Sequence, residues 1–262
     1  MQDADALFSA GDIDGARAVL IDQVRADPGN WEVRSFLFQI FALRGEWDRA
    51  EKQLDTLAKL DPAAQMLAVA YRQCIAAERD REALIAGKAE HSPRFDYPWL
   101  AKLGDALALA SSDPSAAASL RAEAFDEAPT TPGTADGTPF EWIADADQRF
   151  GPTLETMIAG RYALLPFQAL ESLIIHAPVD LRDTVWGQAE FGLRDGARVA
   201  GYVCVRYPGS HEAKDPDVLR GRVTEWREDG DLETGLGHRL MVLSDGSEHP
   251  LMSLRKIEFD RT

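Results

Sequence analysis

The densest group of residues able to do chemistry lies in the string FEWIADADQRF. There Glu141, Asp145 and Asp147 sit within one short stretch, with Arg149 and Arg161 close behind. Paired carboxylates serve as general acid and base or as oxygen ligands for a hard cation. Their spacing here matches neither a calcium-binding loop nor a glycosidase pair, and Asp145 with Asp147 also suits turn formation and ion pairing with nearby arginines. The structural use is therefore favoured, and a hydrolase-like or metal-dependent site at the Glu141–Asp147 loop stands as the alternative. Trp142, beside these carboxylates, reads as an apolar anchor between two parts of the chain.

A second charged group, Asp180, Arg182 and Asp183, precedes Trp186 in DLRDTVW. It reads either as a polar rim around an interface anchor or as an internal ion pair at a strand entry. The five histidines (His91, His176, His211, His238, His249) never reach metal-ligand spacing with Cys74 and Cys204, so no metal site is expected. Ser210 and His211 adjoin, but G-x-S-x-G is missing and neighbouring residues rarely adopt nucleophile–base geometry, so a solvated loop is expected. Gly235-Leu236-Gly237 leads into a strand pattern instead of a helix and lacks the context of a phosphate-binding turn. No catalytic residue and no cofactor follow from these motifs.

The charge balance narrows the partners. The net charge is -16, and each half of the chain, 1–128 and 129–262, holds 22 acidic and 14 basic residues. Phosphate binding would work against that field, so neither nucleic acid nor an anionic membrane is expected as a partner. No apolar run reaches the roughly 18 residues of a membrane span, and the start MQDADALFSAGD lacks the basic and apolar regions of a signal peptide. A cytoplasmic protein is expected, with both cysteines as buried thiols and no disulfide.

The elements that must position these groups fall into two kinds. Sliding the sequence by 34 residues aligns Gly11 with Gly45, Asp14 with Asp48, Ala16 with Ala50, Leu20 with Leu54, and Asp27-Pro28 with Asp61-Pro62. That period belongs to tetratricopeptide-like helix pairs. The glycines permit tight turns between paired helices, the alanines allow close helix approach, and each Asp-Pro ends a second helix. WEVRSFLFQIFAL supplies the leading helix of the complete repeat, residues 63–88 extend a third leading helix, and 98–110 and 114–127 are further helices. Repeat geometry would turn Ser35, Gln39, Ala42 and Leu43 of the second leading helix, and Val69, Gln73 and Ala76 of the third, toward a concave face able to hold a partner's amphipathic helix. Packing of those residues against the C-terminal part is the alternative.

Composition changes at APTTPGTADGTP, residues 128–139, which reads as a linker. Beyond it come short strands in pairs, with turn signals at Ala159-Gly160, Asp195-Gly196 and Asp245-Gly246. Short helices are expected near Gln168 and over 217–225. The expected fold is α+β: an all-α repeat domain over 1–127, the linker 128–139, and a mostly antiparallel β domain with short helices over 140–262.

FEWIADADQRFGPTLETMIAGRYALLPF, followed by APVDLRDTVWGQAEFGLRDG, RYPGS and GLGHRLMVLSDG, resembles the ImpE/TagJ family of type VI secretion accessory proteins. With the degenerate repeats the resemblance covers essentially the whole chain. It implies an adaptor that is not an enzyme. Its implied partner is the N-terminal helix of the small sheath subunit, linking it to sheath assembly or to disassembly by the AAA+ ATPase. A purely structural, self-assembling component is the remaining alternative.

Overall fold

Glycine and Asp-Pro punctuate the helical part as the sequence demands. In the computed structural model, which describes residues 2–91, 94–230 and 232–260, the helices are α1 (Gln2–Ser9), α2 (Ile13–Ala26), α3 (Trp31–Leu43), α4 (Trp47–Leu60), α5 (Ala64–Ile85), α6 (Pro98–Leu109) and α7 (Pro114–Glu127). Gly11 and Gly45 adopt φ of 91° and 66°, a region that a Cβ disfavours. Asp12 caps α2 by accepting the Gly15 N–H at 2.8 Å. Glu46 stands at the same place before α4 but makes no cap bond. Its carboxylate pairs instead with Arg17 of α2 and Arg49 of α4, tying the first repeat to the second. Leu20, Leu37, Phe38, Phe41 and Leu54 fill the space between the pairs and are fully buried.

The C-terminal part is built from antiparallel pairs. Its strands are β1 (Gly133–Ala135), β2 (Thr138–Phe140), β3 (Ile143–Asp145), β4 (Thr153–Ile158), β5 (Arg161–Pro166), β6 (Leu170–Ile175), β7 (Trp186–Leu193), β8 (Arg198–Cys204), β9 (Thr224–Asp229), β10 (Leu232–Gly237), β11 (Leu240–Leu243), β12 (Glu248–Pro250) and β13 (Lys256–Phe259). Eight of them form one sheet in the order β2-β1-β13-β6-β7-β8-β4-β5. A three-stranded sheet, β12-β11-β3, and the β9–β10 hairpin complete the part. The hairpins β4–β5, β7–β8 and β11–β12 turn where the sequence predicts.

Two expectations are corrected here. The segment 128–139 is not a free linker: β1 and most of β2 lie in it and extend the large sheet through β13. The Asp136 carboxylate fixes that hairpin by accepting the backbone N–H groups of Arg255 and Lys256 at 3.1 and 2.7 Å. Threonine and proline forbid a helix there but tolerate short edge strands. The helix expected over 217–225 is a single turn, α8 (Pro216–Leu219), and β9 begins at Thr224. Near Gln168 a 3-10 turn, Phe167–Ala169, carries the chain from β5 to β6.

The two parts share one core. Residues of α3 and α5 pack with Met157, Trp186, Cys204, Val218 and Leu219 of the C-terminal part in a single buried cluster. No described helix is long and apolar enough to cross a membrane.

Candidate functional site

A stack of leading helices exposes a concave face unless something covers it, and in this protein the β part covers some of it. Trp186, at the start of β7, is fully buried between Trp47 and Tyr71, with ring centroids 6.0 and 5.6 Å away. Its indole N–H donates to Glu78 Oε1 at 3.1 Å. The Arg182 guanidinium lies 5.0 Å from the Tyr71 ring centroid. Asp180 holds Arg182, while Asp183 accepts the N–H groups of Val179 and Asp180 at 2.7 and 3.1 Å. The DLRDTVW group is thus the internal ion pair at a strand entry, and its tryptophan anchors the two parts of one chain to each other.

This packing divides the predicted groove residues. Ala42 and Leu43 are completely buried, and the Leu43 carbonyl accepts a bond from Arg206 at 3.0 Å, so neither lines an open face. Ser35 and Gln39 are half-buried. Val69, Gln73 and Ala76 of α5 are exposed, and the stem of Gln73 runs beside Gly160 at the β4–β5 turn. The exposed large apolar side chains of the repeats are Trp31, Leu60, Met66 and Val69. Trp31 opens α3, Leu60 closes α4 and Met66 lies in the first turn of α5. Arg34 bonds Gln53 at 2.8 Å and Arg72 pairs with Asp55 at 2.6 Å, which fixes these antiparallel helices side by side. Trp31, Leu60 and Met66 therefore share one end of the stack.

The carboxylates of EWIADAD do not form a pair open to substrate. Asp145 is buried and accepts from Arg239, from the Tyr207 hydroxyl at 2.9 Å and from the Asp147 N–H at 2.9 Å. Asp147, wholly buried, accepts from Arg149 Nη2 at 2.6 Å and from the Gly235 N–H at 2.7 Å. Glu141 is exposed, its backbone N–H donating to Ser244 Oγ at 2.8 Å, and Arg161 is exposed on the β4–β5 hairpin. Trp142 does not anchor the two parts: it is 38% exposed, between β2 and β3. Ser210 is not solvated either. Its hydroxyl donates to the Tyr207 carbonyl at 2.6 Å and accepts the Gly237 N–H at 2.7 Å, a structural staple. Among the described residues no group of three His, Cys, Asp or Glu could hold a metal ion. Cys74 and Cys204 are free and buried, and burial pushes both thiols up.

The strongest electrostatic feature escapes sequence reading. Glu155, in β4, receives Arg81 of α5 through two bonds of 2.8 and 2.7 Å, together with Arg239 and the Tyr162 hydroxyl at 2.6 Å. Burial opposes its ionisation, but Arg81 and Arg239 prevail and hold the carboxyl at about 2. All six side chains of β4 are buried, so TLETMI places a charge where an apolar residue is the rule, the one signal that could have found it. These groups hold the molecule together: each is engaged by several partners.

Comparison with known proteins agrees with this architecture. A family model described as tetratricopeptide repeat matches residues 7–74, and one described as ImpE protein matches residues 137–258. The crystal structure of protein VPA1032 from Vibrio parahaemolyticus superposes with a TM-score of 0.89 at 22% identity, covering 99% of this chain and 98% of that one, which establishes a common fold. The type VI secretion system accessory component TagJ of Pseudomonas aeruginosa is 41% identical over 265 residues, spanning 99% of this chain and 92% of that protein. Repeats in front, the ImpE block behind and this identity along nearly the whole length place the chain in the ImpE/TagJ family of type VI secretion accessory proteins.

Proposed function

We propose that the protein is a non-enzymatic, cytoplasmic adaptor. It binds the N-terminal helix of the small sheath subunit and links that subunit to sheath assembly or to ATPase-driven disassembly. One observation carries the reading. Of seven exposed large apolar residues among the described ones, four (Trp31, Leu60, Met66 and Val69) belong to the repeat helices α3, α4 and α5. Large apolar side chains left exposed at one end of a helix stack mark a surface suited to binding. Val69, Gln73 and Ala76 continue it along one face of α5 at helical spacing, which suits an amphipathic helix laid alongside. Because the protein's own β part encloses Ala42 and Leu43, the partner helix takes the surface left open on α3–α5. The engaged carboxylates of EWIADAD argue against the enzymatic alternative.

Titration of the full chain with a synthetic peptide of that sheath helix tests the proposal. Saturable binding that Met66→Glu weakens at least tenfold is expected. Absence of binding at tens of micromolar, or binding indifferent to Met66→Glu, would overturn it.

A further inference from the structure

Four arginines are buried among the described residues: Arg81, Arg206, Arg220 and Arg239. Three have a carboxylate within ion-pair distance: Glu78 and Glu155 for Arg81, Asp217 for Arg220, and Asp145 and Glu155 for Arg239. Arg206 has none. Its guanidinium is fixed by Nη1, which donates to the carbonyls of Leu43 and Leu219 at 3.0 and 2.6 Å, while its Nε–H meets no acceptor. A buried cation without a counter-charge and a buried donor without an acceptor are each destabilising.

Arg206 forms part of the wall of a cavity of about 360 Å³ between the end of α5 and the loop after β8. That volume lies in the range of small-ligand sites. Trp47, Ile85, Val185 and Pro208 give it apolar sides. Its carboxylates have other partners: Glu78 accepts from the Trp186 indole and from Arg81, Glu82 accepts from the Trp47 indole at 2.8 Å, and Glu212 lies 3.9 Å from His211 Nε2. Glu78 acts on Arg206 only from beyond ion-pair distance, and neither of the others pairs with it. A planar carboxylate matches a guanidinium edge with parallel hydrogen bonds, and an apolar body would fill the remaining space.

We infer that this cavity is a binding site for an organic carboxylate with an apolar body, its carboxylate seated on Arg206. The site lies at the seam between the repeats and the β part, apart from the outer surface that carries the adaptor reading, and does not depend on that reading. The carboxylate can come from a free small molecule or from the C-terminus of another chain.

Nuclear magnetic resonance titration of the 15N-labelled full chain with benzoate and with benzamide tests the charge requirement. The tripeptide Gly-Gly-Phe and its C-terminal amide test the second source. Benzoate or the free-acid tripeptide is expected to bind saturably, each at least about tenfold more tightly than its uncharged counterpart, with shifts centred on residues 206–212 and 82–86. Whichever of the two saturates first identifies the source. Arg206→Met should abolish binding, but it also removes two hydrogen bonds that hold the fold. Ala86→Trp, which fills the exposed rim of the cavity and leaves Arg206 in place, should block it independently. Equal affinity for charged and uncharged members, undiminished binding by Ala86→Trp, or no binding of either carboxylate at tens of millimolar would overturn the assignment.

Discussion

Arg81 on α5 and Glu155 on β4 face each other through two parallel N–H···O bonds of 2.8 and 2.7 Å, both side chains closed off from water. The pair joins the last repeat helix to the large sheet, and Arg239 holds the same carboxylate from the other side. Glu155→Gln keeps the shape but removes the carboxylate that two buried guanidiniums share, leaving Arg81 with Glu78 and Arg239 with Asp145. Breaking a buried pair in this way costs about 3–5 kcal/mol, so the urea midpoint should fall steeply. Replacement of Arg81 alone by Met leaves Glu155 paired to Arg239 and should cost less.

The same carboxylate sets the acid limb of stability. Its folded value of about 2 lies below the ordinary 4.5, so its contribution is complete above about 4.5 and is lost as pH falls toward 2. For a shift of that size the contribution is on the order of 3 kcal/mol. His91, His211 and His238 are held below 6.5 by burial and favour the unfolded chain as pH drops through 6.5, whereas Asp145, which burial pushes up to about 7, takes up its proton first in the folded chain and acts the other way between about 7 and 4. Urea midpoints measured from pH 7 to 2 should therefore show their clear fall below about 4.5, and Glu155→Gln should remove that fall. A fall below about 4.5 common to both proteins would refute this account.

Gly45 illustrates what sequence could and could not reveal. The 34-residue repeat identified it as a turn glycine, and its φ of 66° agrees. Its second constraint is tertiary: a Cβ there would lie 2.7 Å from the His211 ring, 166 positions further along the chain. Local period likewise revealed the helices, the hairpins at Asp195-Gly196 and Asp245-Gly246, and the α+β order. It did not reveal that 133–140 would join the sheet, because the edge pairing is supplied by β13 at the far end of the chain. Nor did it reveal which helix face would be covered. Ala42 and Leu43 obey repeat geometry, and only the distant Trp186 and Arg206 decide that they are enclosed. Arg239 and Tyr207 are unremarkable in sequence because their partners come from separate elements, and Glu155 shows only as a charge inside an otherwise buried strand.

Those two constraints at Gly45 can be separated. Gly45→Ala should destabilise by about 1–2 kcal/mol through backbone strain alone, with a further loss from displacing the His211 ring. Adding His211→Ala should recover the second loss and leave the first. Chemical denaturation of both single variants and the double variant measures the coupling, and strict additivity would show that the ring moves aside freely.

Stability and partner binding should respond to different aromatic residues. Trp186 is fully enclosed, so Trp186→Ala opens a cavity, leaves Glu78 Oε1 without its donor, and should cost about 3–5 kcal/mol. Trp31 is 56% exposed at the start of α3, and Trp31→Ser should leave the urea midpoint within about 0.5 kcal/mol of the parent. If the outer face of α3–α5 holds the sheath helix, the order reverses in a binding assay at a temperature where both variants remain folded. Trp31→Ser should then weaken the peptide at least tenfold, the effect of removing one aromatic anchor, and Trp186→Ala should retain affinity for as long as α3, α4 and α5 stay packed. Loss of affinity on Trp186→Ala with none on Trp31→Ser would move the docking surface back to the seam between the two parts.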